Sequence, residues 1–323
     1  MNRSAMLTLP APGAETSVLT TGCLSLDWAL GCGGFPRGHL VEIFGPPDSG
    51  KTTLGLEAIA AAQRAGGVGA FLDAEHSLNA VYASGLGVDT NSLIYAQPST
   101  AYHALEVTRS LVKTCAVDVV VLDSVAALGP DPNPPTSAPT PSRGAGFDYW
   151  PFVNGLRALH ALLPKSPCCV IFLNQLRSRL RVEIGSAETT VGAPALHCFA
   201  SVRIRVERRA TITARGEAIG IRSALKVTKN VLGHRGREAE FQIQCSGGIS
   251  REVDLVSLAL RAGVITRGTH GLSYRRTGLG MTLPEACATL RENRPLFDLL
   301  DLELRERAGL GRNRPLAAAT AGA

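Results

Sequence analysis

The run GPPDSGKT, Gly45 to Thr52, constrains this chain more than any other stretch. It reads G-x-x-x-x-G-K-[ST], follows the apolar run LVEIF (40–44) and leads into LGLEAIAAAQRAG (54–66), a segment with helical character. A tight loop between strand and helix turns successive backbone N–H groups into one concavity, and the helix N-terminus adds positive potential there. The ligand that suits such a nest is a chain of phosphates. Gly45 and Gly50 permit the wrap, Pro46, Pro47, Asp48 and Ser49 fill it, and Thr53 carries the chain into the helix. Lys51 neutralises phosphate charge and Thr52 offers its hydroxyl to Mg²⁺, so a nucleotide's phosphates with Mg²⁺ are the expected occupant.

A phosphate loop of this kind needs a parallel sheet around it, and the sequence supplies strand candidates. LVEIF (40–44), GAFLDAE (69–75), VDVVVLDSV (117–125) and CCVIFLNQ (168–175) are apolar throughout, as strands covered on both faces are. SVRIRVE (201–207) alternates apolar and basic residues, and EAEFQIQC (238–245) alternates as well. Helix-like segments lie between them at 54–66, 100–114 and 149–163. The fold class expected is α/β: a P-loop NTPase core with a mostly parallel twisted sheet flanked by helices. A chain of 323 residues has room for about two domains at ~150 residues each. The core is expected over 17–247, and a small, mainly helical C-terminal α/β domain over 248–310, where the texture changes after SGG. Residues 311–323 read as a disordered tail.

Composition removes several function classes. Hydrophobic residues make up 45% and charged residues 19%, too apolar for a disordered chain. No apolar run reaches the ~18 residues a membrane span needs, and the first residues lack the apolar centre of a signal peptide, so a soluble cytoplasmic protein is expected. The eight cysteines form no C-x-x-C pair, against zinc and redox readings, and Cys168 and Cys169 read as small buried hydrophobes. Aromatic residues are only 5%, so stacking on bases is no widespread device. Residues 176–236 hold twelve Arg and Lys against four acids, more than the whole chain's surplus of +6. Two readings fit: a polyanion partner, or a solvated face with scattered arginines.

Polar residues at the strand ends complete a candidate site. Asp123 closes VDVVVLD, where an acid can hold the Mg²⁺ shell through water, although a strand-end acid also simply caps a turn. Glu75 ends GAFLDAE and can activate an attacking water; Asp73, on the same run, competes for that role. Gln175 ends CCVIFLNQ and can hydrogen-bond a terminal phosphate. Each is ordinary alone, but four strand ends converging on one crevice point to chemistry.

The run TGCLSLDWALGCGGFPRGHLVEIFGPPDSGKTTL (21–54) resembles the bacterial RecA recombinase family. So do FLDAEHSLNAVYASGLGVD (71–89), VDVVVLDSVAAL (117–128), FLNQLRSRLRVEIGSAETTVGAPALHCFASVRI (172–204) and KVTKN (226–230), in the same order. The resemblance implies a DNA-dependent ATPase that binds single-stranded DNA in a helical filament of its own copies and pairs it with homologous double-stranded DNA. It implies that Glu75 is the catalytic glutamate, that Tyr82 stacks on adenine with Asn79 beside the base, and that Asp123 and Ser124 form the Mg²⁺-side pair. Gln175 would link the nucleotide to a DNA-binding loop at 176–193, with Arg177 and Gly192 at DNA-contact positions, and a second loop would span 129–146. Arg179 and Arg181 would follow phosphates, Arg157 matches an arginine of the helix after the first loop, and Lys229 one of two lysines that reach a neighbour's γ-phosphate.

The departures are specific. Val231 stands at the second lysine position, Ala193 and Pro194 replace a Gly-Asn pair, and His197 and Cys198 replace a basic–aromatic pair. Residues 1–16 read as a short oligomerisation segment without the family's leading helix, and the acidic tail gives way to Arg307, Arg312 and Arg314. These departures motivate an alternative, a RecA-like accessory or assembly factor for a recombinase filament or a translesion polymerase. A repressor or such a polymerase is the further partner the resemblance suggests.

Overall fold

The computed structural model describes residues 17–130, 149–178, 188–245 and 247–310. The N-terminal segment 1–16, the tail 311–323, Arg179, Arg181, most of the expected DNA-binding loop at 129–146 and half of that at 176–193 lie outside the described residues. The chain opens with β1 (Val18–Leu19) and β2 (Phe35–Pro36), an antiparallel pair that brackets α1 (Leu24–Leu30). Then come β3 (Leu40–Gly45), α2 (Lys51–Arg64), β4 (Gly69–Asp73), α3 (Ala80–Gly85), β5 (Ile94–Ala96), α4 (Ala101–Thr114), β6 (Val119–Asp123) and α5 (Tyr149–Leu162). They are followed by β7 (Cys169–Ser178), β8 (Glu188–Thr190), α6 (Ala193–Phe199), β9 (Val202–Ala214), β10 (Glu217–Asn230), β11 (Glu238–Gln244) and β12 (Gly248–Ile249).

One sheet runs in the order β12-β11-β10-β9-β3-β7-β6-β4-β5, with β8 attached antiparallel to β7. From β5 to β9 all neighbours are parallel; β9 to β12 are antiparallel. The inner parallel strands β3, β4 and β6 are buried on both faces, which is why Val119–Asp123 reads VVVLD. Residues Ala58 to Ala62 of α2 include four alanines, whose small side chains let that helix lie close to one face, while α4, α5 and α6 cover the other. The β3 strand sits between β7 and β9, so the ends of β3, β7, β6 and β4 stand side by side at the carboxyl edge, where ligands of α/β sheets bind.

Three features differ from the expectations. The strand expected at 69–75 stops at Asp73, so Glu75 lies two residues past it. The strand expected at 168–175 runs on to Ser178, so Gln175 lies inside it. After β12, α7 (Arg251–Arg261), α8 (Leu283–Glu292) and α9 (Arg294–Arg307) enclose a third apolar cluster with β13 (Ile265–Gly268), β14 (Gly271–Tyr274) and β15 (Thr277–Gly280), an antiparallel sheet that the sequence reading merged into a turn-rich stretch. Arg305 of α9 reaches Asp27 of α1 at 3.3 Å, tying these last helices to the core. No helix among the described residues is long and apolar enough to cross a membrane.

Candidate functional site

The phosphate loop hangs between the end of β3 and the first turn of α2. Gly50 caps that helix at φ 98°, a conformation L side chains avoid, and an added Cβ would meet Ile243 at 2.3 Å. The loop is fastened from across the sheet, because the Ser223 hydroxyl donates to the Ser49 carbonyl at 2.9 Å. Ser49 Oγ itself is buried with no partner among the described residues, which leaves it for a ligand oxygen. Lys51 is 8% exposed and its Nζ donates to the Pro46 carbonyl at 2.7 Å. Burial pulls the Lys51 ammonium below its usual range, against the opposing pull of Asp123, Glu75 and Asp48.

Register places the acids. Asp73 and Asp123 are partners across β4 and β6, and Gly45 and Gln175 are partners across β3 and β7. The Thr52 hydroxyl donates to Asp123 Oδ2 at 2.6 Å. The Asp123 carbonyl accepts from the N–H groups of Ala74 at 2.7 Å and Glu75 at 3.1 Å, which turns the chain so that the Glu75 side chain projects over the crevice. Glu75 Oε1 then accepts from the Ser124 hydroxyl and from the Gln175 amide, the latter at 2.8 Å. Glu75, Ser124, Asp123, Thr52 and Gln175 thus form one continuous constellation. Burial raises the Asp123 carboxyl to about 6, with the Thr52 hydrogen bond opposing it and Glu75 adding repulsion.

Asp73 is not the competing base. It is 1% exposed and accepts from Ser77 N at 3.1 Å, Leu78 N at 3.0 Å and the Tyr95 hydroxyl at 3.0 Å, so it holds the turn that follows β4. The donor set of Thr52 and Asp123 is a hydroxyl and a carboxylate, which suits a hard oxygen-seeking cation such as Mg²⁺. No cluster of three or more His, Cys, Asp or Glu able to hold a metal is found among the described residues, and Mg²⁺ beside phosphates needs none.

Beyond Thr53 the cleft widens to about 410 Å³, lined by Asp48 to Thr53, Tyr82, Arg208 and the ends of β10 and β11. The Tyr82 hydroxyl meets Thr53 Oγ1 at 2.8 Å, and burial raises its pKa, holding it in the neutral form. Asn79 serves as the cap of α3, its side chain accepting from Tyr82 N at 3.0 Å, so its visible work is to hold the helix that carries Tyr82.

A family model for the RecA N-terminal domain matches residues 2–250. The chain belongs to the RecA family. It is 43% identical over 300 residues to Protein RecA of Agrobacterium fabrum, an alignment that spans 93% of this chain and 82% of that one. It is 44% identical over 298 residues to Protein RecA of Acidothermus cellulolyticus (92% and 86% covered) and 43% over 300 residues to that of Brucella anthropi (93% and 82%).

Other positions marked by the RecA resemblance stand apart from the phosphate loop. Arg177 is exposed on the outer stretch of β7, opposite Thr189 of β8. Arg157 is exposed on α5, 3.3 Å from the side-chain carbonyl oxygen of Asn154. Gly192 caps α6 at φ 67°, where a Cβ would lie 2.6 Å from the Phe152 ring, so packing against α5 accounts for the glycine. Ala193 and Pro194 form the first turn of α6 rather than loop backbone, and a proline there forfeits only an N–H that a helix start leaves unpaired. Lys229 Nζ caps the far end of α6, donating to the carbonyls of His197 at 2.7 Å and Cys198 at 3.3 Å, and burial lowers its pKa. Val231 is 61% exposed.

Sequence reasoning passed over a buried network beneath the site. Glu42, on β3, binds Arg203 Nε of β9 at 2.5 Å and accepts from Asn174 of β7 at 3.0 Å. The same Asn174 amide donates to the Val191 carbonyl at 2.8 Å, at the returning end of the 176–193 segment. The available signal was the acid inside LVEIF, since a carboxylate in a strand covered on both faces needs a cationic partner.

Proposed function

We propose that this protein is a recombinase of DNA repair whose filament assembles on single-stranded DNA and is driven by ATP hydrolysis. The observation that carries the reading is the unbroken chain from Thr52 through Asp123 and Ser124 to Glu75 and Gln175, which joins phosphate binding, water activation and the root of the 176–193 segment. The backbone of residues 45–52 and Lys51 hold the phosphates. Thr52 and Asp123 would hold Mg²⁺, which would supply Lewis-acid withdrawal of charge from the phosphate oxygens. Both hydrogen bonds of the Glu75 carboxylate fall on Oε1, which leaves Oε2 to take the proton of the attacking water. Lys51 meets the charge that develops on the departing diphosphate.

Gln175 is the coupling point. Its amide sits on Glu75, and its strand continues two residues on into Arg177. A terminal phosphate that draws the amide toward itself repositions the outer stretch of β7, and loss of that phosphate releases it. DNA binds through its phosphates to Arg177, Arg179, Arg181 and Arg157, leaving the bases free to pair with a homologous duplex. Glu75 is exposed in the single subunit, so a neighbouring copy in the filament closes the site, with Lys229 on the facing surface. The reaction makes and breaks no bond in DNA, and its place is the cytoplasm. A strand-exchange assay with circular single-stranded DNA and a homologous linear duplex tests the reading. Joint molecules are expected with ATP and none with Lys51→Ala; a wild-type protein that binds ATP and DNA yet forms none overturns it.

A further inference from the structure

We propose that Arg208 is a second cation for the nucleotide's phosphates, supplied by the same subunit as Lys51. The proposal rests on the reading of the cleft as an ATP site. Strand β9 runs parallel to β3 from Val41 opposite Val202 to Phe44 opposite Arg205, and then outruns it, since β3 ends at Gly45 and β9 continues to Ala214. The two strands are tight where they part: a Cβ on Gly45 would lie 2.0 Å from the Val206 carbonyl. Ile204 and Val206 face the core on the α2 side, and with the two-residue period of a strand Arg208 follows on that face, over the phosphate loop. Its partner across the ladder is Ser223, the residue whose hydroxyl fastens the Ser49 carbonyl. Arg208 accordingly lines the same cleft as Asp48, Lys51 and Thr52.

Its side chain is available. The Arg208 contact described is one hydrogen bond, Nη2 to Thr211 Oγ1 at 2.6 Å. Its neighbours Arg205 and Arg209 both take Glu207, whereas no carboxylate partner of Arg208 is described. The charged side chains that line the cleft are Lys51, Arg208 and Asp48. A polyphosphate brings more negative charge than one lysine matches, and Asp48 adds to it. A guanidinium fork held loosely on the opposite wall can grip two phosphate oxygens at once.

The experiment titrates a fluorescent ATP analogue, and adenosine as competitor, into the full-length DNA-free protein. Arg208→Ala should weaken the ATP analogue about tenfold, the loss of one charge-assisted contact, and leave adenosine unchanged. Arg208→Lys should recover part of the loss. In DNA-stimulated hydrolysis KM for ATP should rise while kcat at saturation holds. Wild-type nucleotide affinity in Arg208→Ala overturns the proposal, as does an equal loss of adenosine binding, which marks a damaged cleft. Lys51→Ala separates the two levels: if it too leaves analogue binding intact, the ATP reading itself fails, and if it abolishes binding while Arg208→Ala does not, only the role of Arg208 falls.

Discussion

Glu75 stands in solvent with one carboxylate oxygen engaged by Ser124 and Gln175, whereas Asp73, two residues earlier, is sealed under Ser77, Leu78 and Tyr95. The same side-chain chemistry therefore has two fates, decided by where β4 ends. Glu75→Gln should keep ATP binding and lower kcat by about a hundredfold or more, the usual contribution of a general base. Asp73→Asn should keep turnover per folded molecule and lower stability by about 1–2 kcal/mol, read by denaturant titration beside the ATPase assay. Asp123 gives a pH signature. Its carboxyl ionises at about 6 in the folded protein, above the 3.8 of a freely solvated aspartate, so the folded state holds its proton more tightly. Stability from this group is therefore greatest below about pH 4 and is lost as pH rises through 6. Asp123→Asn should match wild type at low pH and exceed it by up to about 3 kcal/mol near pH 8 in the nucleotide-free protein. A difference that does not change with pH would contradict that assignment. The loop residues of this site were legible in the sequence because a phosphate nest has few solutions; strand pattern alone left Asp73 and Glu75 in competition, because two residues of strand length decide between them and only the family resemblance favoured Glu75.

At the scale of elements, β7 runs from Gln175, bound to Glu75 beside the phosphate loop, out to Arg177 and the 176–193 segment. Asn174 points into the sheet and Gln175 toward Glu75, a consequence of strand alternation, so one strand carries both the structural tie to Glu42 and Val191 and the contact to the Glu75 carboxylate. Asn174→Ala should orphan the Val191 carbonyl and strip a donor from the buried Glu42, costing about 1–3 kcal/mol. It should also reduce DNA stimulation of hydrolysis more than DNA-free hydrolysis; equal losses in both would deny the coupling role. Strand β5 is only three residues long and shows no period, but the parallel strands β3, β4, β6, β7 and β9, with α2, α4 and α5, were legible from their continuous, alternating or 3.6-period apolar patterns. Strands β10 and β13 to β15 were not. EAIGIRSALKVTKN mixes charge, glycine and β-branched residues in a strand of mixed burial between β9 and β11, and the C-terminal strands are four residues each, too short to show a period.

Across the whole molecule, the basic excess of residues 176–236 divides rather than forming one face. Arg203 is spent inside the core on Glu42, Arg205 lies between Glu188 and Glu207, and Lys226 pairs with Glu238. Charge counting raised the prospect of a polyanion partner, but it could not tell a core ion pair from a surface cation, because both are arginines in alternating strands. Arg177 and Arg208 lie on accessible surfaces, one on the outer stretch of β7 and one in the cleft beside the phosphate loop. The central claim is that these two surfaces are linked through Gln175 and Glu75. The most direct test is the ATP hydrolysis rate of the purified protein with and without single-stranded DNA. A severalfold rise on adding DNA, abolished by Lys51→Ala and blunted by Gln175→Ala, is the predicted result. Hydrolysis at the same rate in the presence and absence of DNA would contradict it.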